Sequence, residues 1–179
     1  ESQTAAAIPA RIQYTTDLET CVRNSQFVIE SIPENLGLKQ RLFREMDLLC
    51  PNNIILATNT SGLSITDIAS VCQRPTRVVG LHWINPAHIV PLVEVVQGQL
   101  TDDSILQTTY HLAETIDKMP VIIRKDVPGF ASNRLPFALL REALHLVGAG
   151  IISVQHADRV LRGGVGFRYP WLGALESAD

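Results

Sequence analysis

The order of apolar and polar residues along the chain predicts short buried strands alternating with amphipathic helices. Residues 11–15 and 27–32 read as short buried strands, the second a near-continuous apolar run. Then the period changes. Leu38, Leu42, Met46 and Leu49 recur at helical spacing, with Lys39, Arg41, Arg44 and Asp47 on the other side. Asn35 stands where an N-cap belongs and Pro51 follows the helix end. Residues 54–57 read as the next strand, and Ser64-x-x-Asp67 resembles a capping box opening a short helix. Residues 78–81 and 92–96 add two strands, residues 103–117 a helix and residues 121–123 a last strand.

Strands alternating with helices indicate an α/β fold: a partial Rossmann-like, doubly wound and mainly parallel sheet. After Lys125 the texture changes to all-helical, which divides the chain into a nucleotide-binding domain over residues 1–125 and a helical domain over 126–179. Residues 128–150 read as one long helix, with Pro136 leaving a carbonyl near Ser132 free. Ser153 caps another helix that stops before Gly163-Gly164. A dinucleotide-binding domain normally opens with a strand, a G-x-G-x-x-G turn and a helix. No such turn occurs; Gly163-Gly164-Val165-Gly166 follows a helix and reads as its end and a loop. The expectation is a chain that begins after the first strand–turn–helix unit and stops inside the helical domain.

Composition narrows the classes. Hydrophobic residues make up 46% and charged residues 18% of the 179, an ordinary globular balance. A net charge of −3 argues against a nucleic-acid partner. No apolar run reaches the roughly 18 residues of a membrane span, and the first residues lack the pattern of a signal peptide. Cys21, Cys50 and Cys72 are odd in number and far apart, which fits neither a disulfide framework nor a metal site and points to a reducing, cytoplasmic setting.

The densest chemistry lies between Leu81 and Glu94. His82-x-x-Asn85-Pro86 ends an apolar strand, where α/β sheets place their ligands, and Glu94 interrupts the next apolar strand. A carboxylate there is costly to bury unless something pairs with it. Either Glu94 faces solvent on an edge strand and His82 is a satisfied half-buried histidine, or the intervening loop brings them together. A paired carboxylate would fix the imidazole tautomer and leave the other ring nitrogen to exchange a proton with an alcohol. Thr58-Asn59-Thr60-Ser61-Gly62 and Pro33-Glu34-Asn35 also end strands, as simple turns or as the rim of a crevice. Asn133 falls in the first turns of the long helix, as a packing residue or a polar contact. His88, His111, His145 and His156 are weaker candidates. Arg168, between Phe167 and Tyr169, is suited either to a bidentate grip on a substrate carboxylate or to stacking on its neighbours at the surface.

Five segments together resemble the 3-hydroxyacyl-CoA dehydrogenase family: Val28 to Leu36, Thr58 to Ser61, Gly80 to Pro86, Pro91 to Val96, and Asp126 to Phe130 with Asn133-Arg134-Leu135. The resemblance implies NAD-dependent oxidation of a 3-hydroxyl, in the setting of fatty acid metabolism, by a homodimer joined through its helical domain. It implies His82 as catalytic acid/base, Glu94 as its carboxylate partner, and Ser61 and Asn133 as catalytic and substrate contacts. Glu34, Lys39, Ser61 and Asn85 match positions that contact the ribose and nicotinamide end of NAD. The stretch Gly164 to Pro170 and Gly173 to Glu176 also resembles the branch with lambda-crystallin and L-gulonate 3-dehydrogenase. That likeness keeps open a free hydroxy acid as substrate, or a non-enzymatic structural relative. His82 and Glu94 being both present argues for an enzyme.

Overall fold

The computed structural model describes residues 9–178. In chain order its elements are α1 (Leu18–Val22), β1 (Phe27–Glu30), α2 (Leu36–Leu49), β2 (Ile55–Thr58), α3 (Ile65–Ala69), β3 (Val78–Trp83), β4 (Leu92–Val96), α4 (Asp103–Thr115), β5 (Met119–Ile123), α5 (Arg134–Gly148), α6 (Val154–Val160) and α7 (Gly166–Arg168). The chain forms two compact units, one running to Ala131 and the other starting at Ser132.

The first unit is a five-stranded sheet in the order β1-β2-β3-β4-β5. β1, β2 and β3 are parallel, β3 and β4 antiparallel, β4 and β5 parallel. The one antiparallel pairing has a simple cause. A parallel connection needs a crossover, usually a helix, whereas residues 84–91 form only a loop.

Both sheet faces are covered, which is why the central strands are apolar throughout. Leu56 and Val78 join Phe43 and Met46 of α2 and Ile65 and Ile68 of α3 on one face. Ala57, Val79, Leu81, Val93 and Val95 pack with Leu106 of α4 on the other. Full burial of side chains such as Phe43 or Leu106 contributes roughly 1.5–3 kcal/mol each.

Several expectations are corrected. The strand predicted over residues 11–15 does not form: Ile12 is 49% and Tyr14 88% exposed. Among the described residues β1 pairs only with β2, so residues 11–15 find no strand to pair with. The predicted face of α2 holds at Met46, which is buried, and at Leu42 and Leu49, which pack against the core, but the buried face extends further than predicted. Its buried residues are Lys39, Phe43, Met46 and Asp47, while Leu38 is exposed. Lys39 and Asp47 go inside because each meets an opposite charge: Lys39 Nζ lies 2.7 Å from Glu30 Oε1, and Asp47 Oδ1 2.9 Å from Arg77 Nη2. Asp47 also accepts from the Gln73 amide through Oδ2 at 2.7 Å, and Arg77 donates to the carbonyls of Pro51 and Ile54. This cluster ties the end of α2 to the approach of β3.

In the second unit the predicted long helix starts later. Gly129 (φ 77°) and Phe130 (φ 48°) adopt left-handed backbone, so residues 128–133 are turns and α5 begins at Arg134 after its N-cap Asn133. Pro136 therefore lies in the first turn, where no intrahelical N–H bond is lost, and it frees no carbonyl at Ser132. Ser153 does cap α6, its Oγ accepting from the His156 amide. The helix does not stop at the glycines, however. It passes through a π-turn, Leu161–Val165, into α7.

Candidate active site

β3 and β4 are in register such that His82 and Glu94 are direct cross-strand partners. Their side chains share one sheet face, and His82 Nδ1 lies 2.8 Å from Glu94 Oε2. His82 is 5% exposed and Glu94 fully buried, so the reading of Glu94 as a solvent-facing edge residue is removed. The other carboxylate oxygen, Oε1, accepts from the Ala131 amide at 2.9 Å. With both oxygens engaged, the carboxylate is locked in place. It favours the Nδ1–H tautomer of His82 and turns the Nε2 lone pair away from itself. The Phe130 ring meets the His82 ring edge-on, centroids 5.7 Å apart and planes at 61°. Holding Phe130 at φ 48° costs on the order of 1–3 kcal/mol, which its burial against the core offsets.

The neighbouring strand ends are stitched to β3 by Asn59. Its Oδ1 accepts from the Trp83 amide at 2.9 Å, its Nδ2 donates to Ser31 Oγ at 3.3 Å, and its own amide donates to the Glu30 carbonyl at 2.8 Å. One asparagine thus joins the carboxyl ends of β1, β2 and β3. It was legible in the sequence only as part of a polar turn, because the partners that define it are distant along the chain.

Glu34 holds the turn that follows. Its Oε1 accepts from Thr60 Oγ1 at 2.6 Å, the Ser61 amide at 2.9 Å and the Gly62 amide at 3.2 Å. Ser61 is exposed at the top of that turn. Lys39 sits behind it, fully buried, donating to Glu30 Oε1 and to the Ile32 carbonyl and lying 3.7 Å from Glu34 Oε2. Glu30 is held in turn by Thr58 Oγ1 at 2.6 Å and the Ile32 amide. Asn85 is exposed in the loop after β3. The structure therefore gathers His82, Glu94, Ser61, Glu34 and Lys39 at the carboxyl ends of β1 to β3 and the strand beside them. Asn133 and Arg168 belong to the second unit, where Asn133 is the N-cap of α5 and Arg168, exposed, ends α7.

Cys50 and Cys72 do not compete for the chemistry. Burial pushes the Cys72 thiol up to about 11 and raises that of Cys50 as well, so both stay protonated near neutral pH.

A doubly wound sheet with a buried histidine–carboxylate pair beside polar strand ends defines a Rossmann-type dehydrogenase domain. Comparison with known proteins gives the particular family. Residues 1–127 match the 3-hydroxyacyl-CoA dehydrogenase NAD-binding domain, and residues 129–179 the C-terminal domain of the same family. The chain belongs to the 3-hydroxyacyl-CoA dehydrogenase family. It is 38% identical over 168 residues to 5-formyl-3-hydroxy-2-methylpyridine 4-carboxylate 5-dehydrogenase of Mesorhizobium japonicum, covering 94% of this chain and 54% of that protein. It is 37% identical to L-carnitine dehydrogenase of Pseudomonas syringae pv. syringae, covering 92% and 52%. The crystal structure of a 3-hydroxyacyl-CoA dehydrogenase from Archaeoglobus fulgidus superposes with a TM-score of 0.87 at 32% identity, covering 96% of this chain and 58% of that one. The chain thus spans little more than half the length of these relatives.

Proposed function

We propose that the complete protein oxidises the 3-hydroxyl of a 3-hydroxyacyl-CoA to the 3-keto product, with NAD as hydride acceptor and His82 taking the hydroxyl proton. The observation that carries this reading is the 2.8 Å contact between His82 Nδ1 and Glu94 Oε2 at the sheet's carboxyl edge. Glu94 keeps the proton on Nδ1, so Nε2 is the nitrogen that accepts from the substrate alcohol and returns a proton in reduction. As the imidazole becomes charged, the adjacent carboxylate stabilises it. Ser61 holds the reacting oxygen in this reading.

The polar strand ends fit the ribose and nicotinamide end of NAD. Ser61 stands exposed on a turn whose amides are organised by Glu34, and Asn85 is exposed beyond β3. These residues would hold the cofactor, with Lys39 supporting Glu34 from behind; the bound cofactor supplies the hydride acceptor. His82 is 5% exposed, which keeps bulk water from competing for its proton.

A second reading is the same chemistry on a free hydroxy acid, with Arg168 gripping the carboxylate. The pyridine 4-carboxylate named for one relative favours it; the exposure of Arg168 in its own unit favours the thioester. A homodimer is part of the proposal, supported by the exposed apolar residues of α5, and so is a reducing, cytoplasmic setting, supported by the three free cysteines. No helix among the described residues is long and apolar enough to cross a membrane.

The test is turnover by the complete protein with NAD and either 3-hydroxybutyryl-CoA or free 3-hydroxybutyrate, in wild type and Arg168→Met. The thioester reading expects the larger kcat/KM with the CoA substrate and little change in the variant. A selective loss for the free acid in Arg168→Met, roughly thirtyfold or more for a desolvated charge pair, would establish the second reading instead.

A further inference from the structure

Residues 126–131 do more than connect the two units. Asp126 Oδ2 accepts from Ser64 Oγ at 2.8 Å and from the Thr66 amide at 2.7 Å, which pins the segment's start to the first turn of α3. The segment then passes close over the turn after β2. A β-carbon on Gly62 would lie 3.1 Å from the Gly129 nitrogen and 3.3 Å from its α-carbon, so only glycine at 62 lets the two backbones approach without a shift. The left-handed pair Gly129 and Phe130 turns the chain inward. Phe130 enters the core at 1% exposure, edge-on to the His82 ring, and the next amide, that of Ala131, donates to Glu94 Oε1. Four successive contacts thus lead from α3, over the Gly62 turn, to both members of the pair.

We infer that residues 126–131 are a strap that sets the geometry of the Glu94–His82 pair, with Asp126 and Phe130 as positioning residues acting through it. The Ala131 amide fixes Oε1 while His82 engages Oε2, so losing that amide loosens the carboxylate against rotation about its own side-chain bonds. The imidazole would then lose its single preferred tautomer. The strap ends at Ala131, the last residue of the first unit, so the tautomer of His82 is set from the connection to the second.

The catalytic consequence rests on the proposed acid/base role of His82, whereas the tautomer does not. The experiment therefore reads both, in the complete protein. Ring ¹⁵N chemical shifts of selectively labelled histidine report the His82 tautomer at neutral pH, with His82→Gln assigning the signal. The same samples give kcat and the KM for NAD. In wild type the Nδ1–H form dominates. Asp126→Ala should bring in the Nε2–H form and lower kcat roughly ten- to a hundredfold, the cost of a small misplacement of a catalytic group. The KM for NAD should stay close to wild type. Asp126→Asn retains an acceptor oxygen for Ser64 and Thr66 and should restore both readouts most of the way. If Asp126→Ala does not fold, Gly62→Ala tests the same strap by pushing Gly129 away, and should mix the tautomers without touching Asp126. Mixed tautomers in these variants support the strap even if no hydroxyacyl substrate is turned over, an outcome that would sink only the proposed reaction. A His82 signal unchanged in both Asp126→Ala and Gly62→Ala overturns the strap, whatever happens to kcat.

Discussion

In the sheet unit the strands β2 and β3 bury almost every side chain, and each buried carboxylate has a fixed partner: Glu30 the Lys39 ammonium, Asp47 the Arg77 guanidinium, Glu94 the His82 ring. In the helical unit α5 buries none of its residues, and Phe137 and Leu144 are 56% and 63% exposed. The two regions have similarly amphipathic helices, so patterning does not separate them. Closure does. Where layers cover both faces of the sheet, polar groups lose water and must be held by partners at fixed distances, which is the condition under which a histidine can keep one tautomer. The helical unit has the apolar stripe that such closure uses, without the layer that completes it among the described residues.

The comparison can be broken most forcibly at Asp47. Asp47→Ala leaves the Arg77 guanidinium buried without its carboxylate, and the sheet unit should lose about 3–5 kcal/mol in chemical denaturation. A loss under about 1 kcal/mol would mean that the buried charges of this unit are not interdependent. Next in size is Glu94→Gln. The amide can donate to Nδ1 and so favour the wrong tautomer, and kcat in the complete protein should fall on the order of 10²–10³-fold with NAD affinity retained. An unchanged kcat would reduce the pair to a packing contact. Asn59→Ala leaves the Trp83 amide without its acceptor at the edge of the site, for a stability loss of about 1–3 kcal/mol; an unchanged melting temperature would show that β3 needs no tie to β2 there. Smallest is Leu144→Ser on α5. In the chain as described the change should lie within about 0.5 kcal/mol. A loss of several times that in the complete protein, measured by the same denaturation, would show that another layer covers this face.

How far the sequence reveals this arrangement differs by kind of residue. His82 and Glu94 were visible because each is an anomaly in an apolar run on consecutive strands, whereas their antiparallel cross-strand register, set by a loop too short for a crossover, came only with the structure. The α/β alternation and the N-caps Asn35, Ser64 and Ser153 were visible for a local reason: a cap is decided by residues three positions apart. Lys39 and Asp47 were assigned to the outer face because helical periodicity sees only their own helix. Their partners, Glu30 and Arg77, come from strand β1 and the approach to β3. The late start of α5 was hidden for a related reason. Phe130 is no helix breaker, and its left-handed backbone goes with its burial against the His82 ring rather than with local preference. Tertiary partners decide these cases, and the pattern of a single segment does not contain them.

The account's central claim is that His82 moves the proton, and the most direct measurement is a paired one on His82→Ala in the complete protein. The account predicts that kcat for a 3-hydroxyacyl-CoA falls roughly 10²–10⁴-fold, while NAD binding, measured by calorimetry, stays near wild type because the strand ends and Glu34 that organise the cofactor's side of the site are untouched. Turnover at the wild-type rate with intact NAD binding would contradict it.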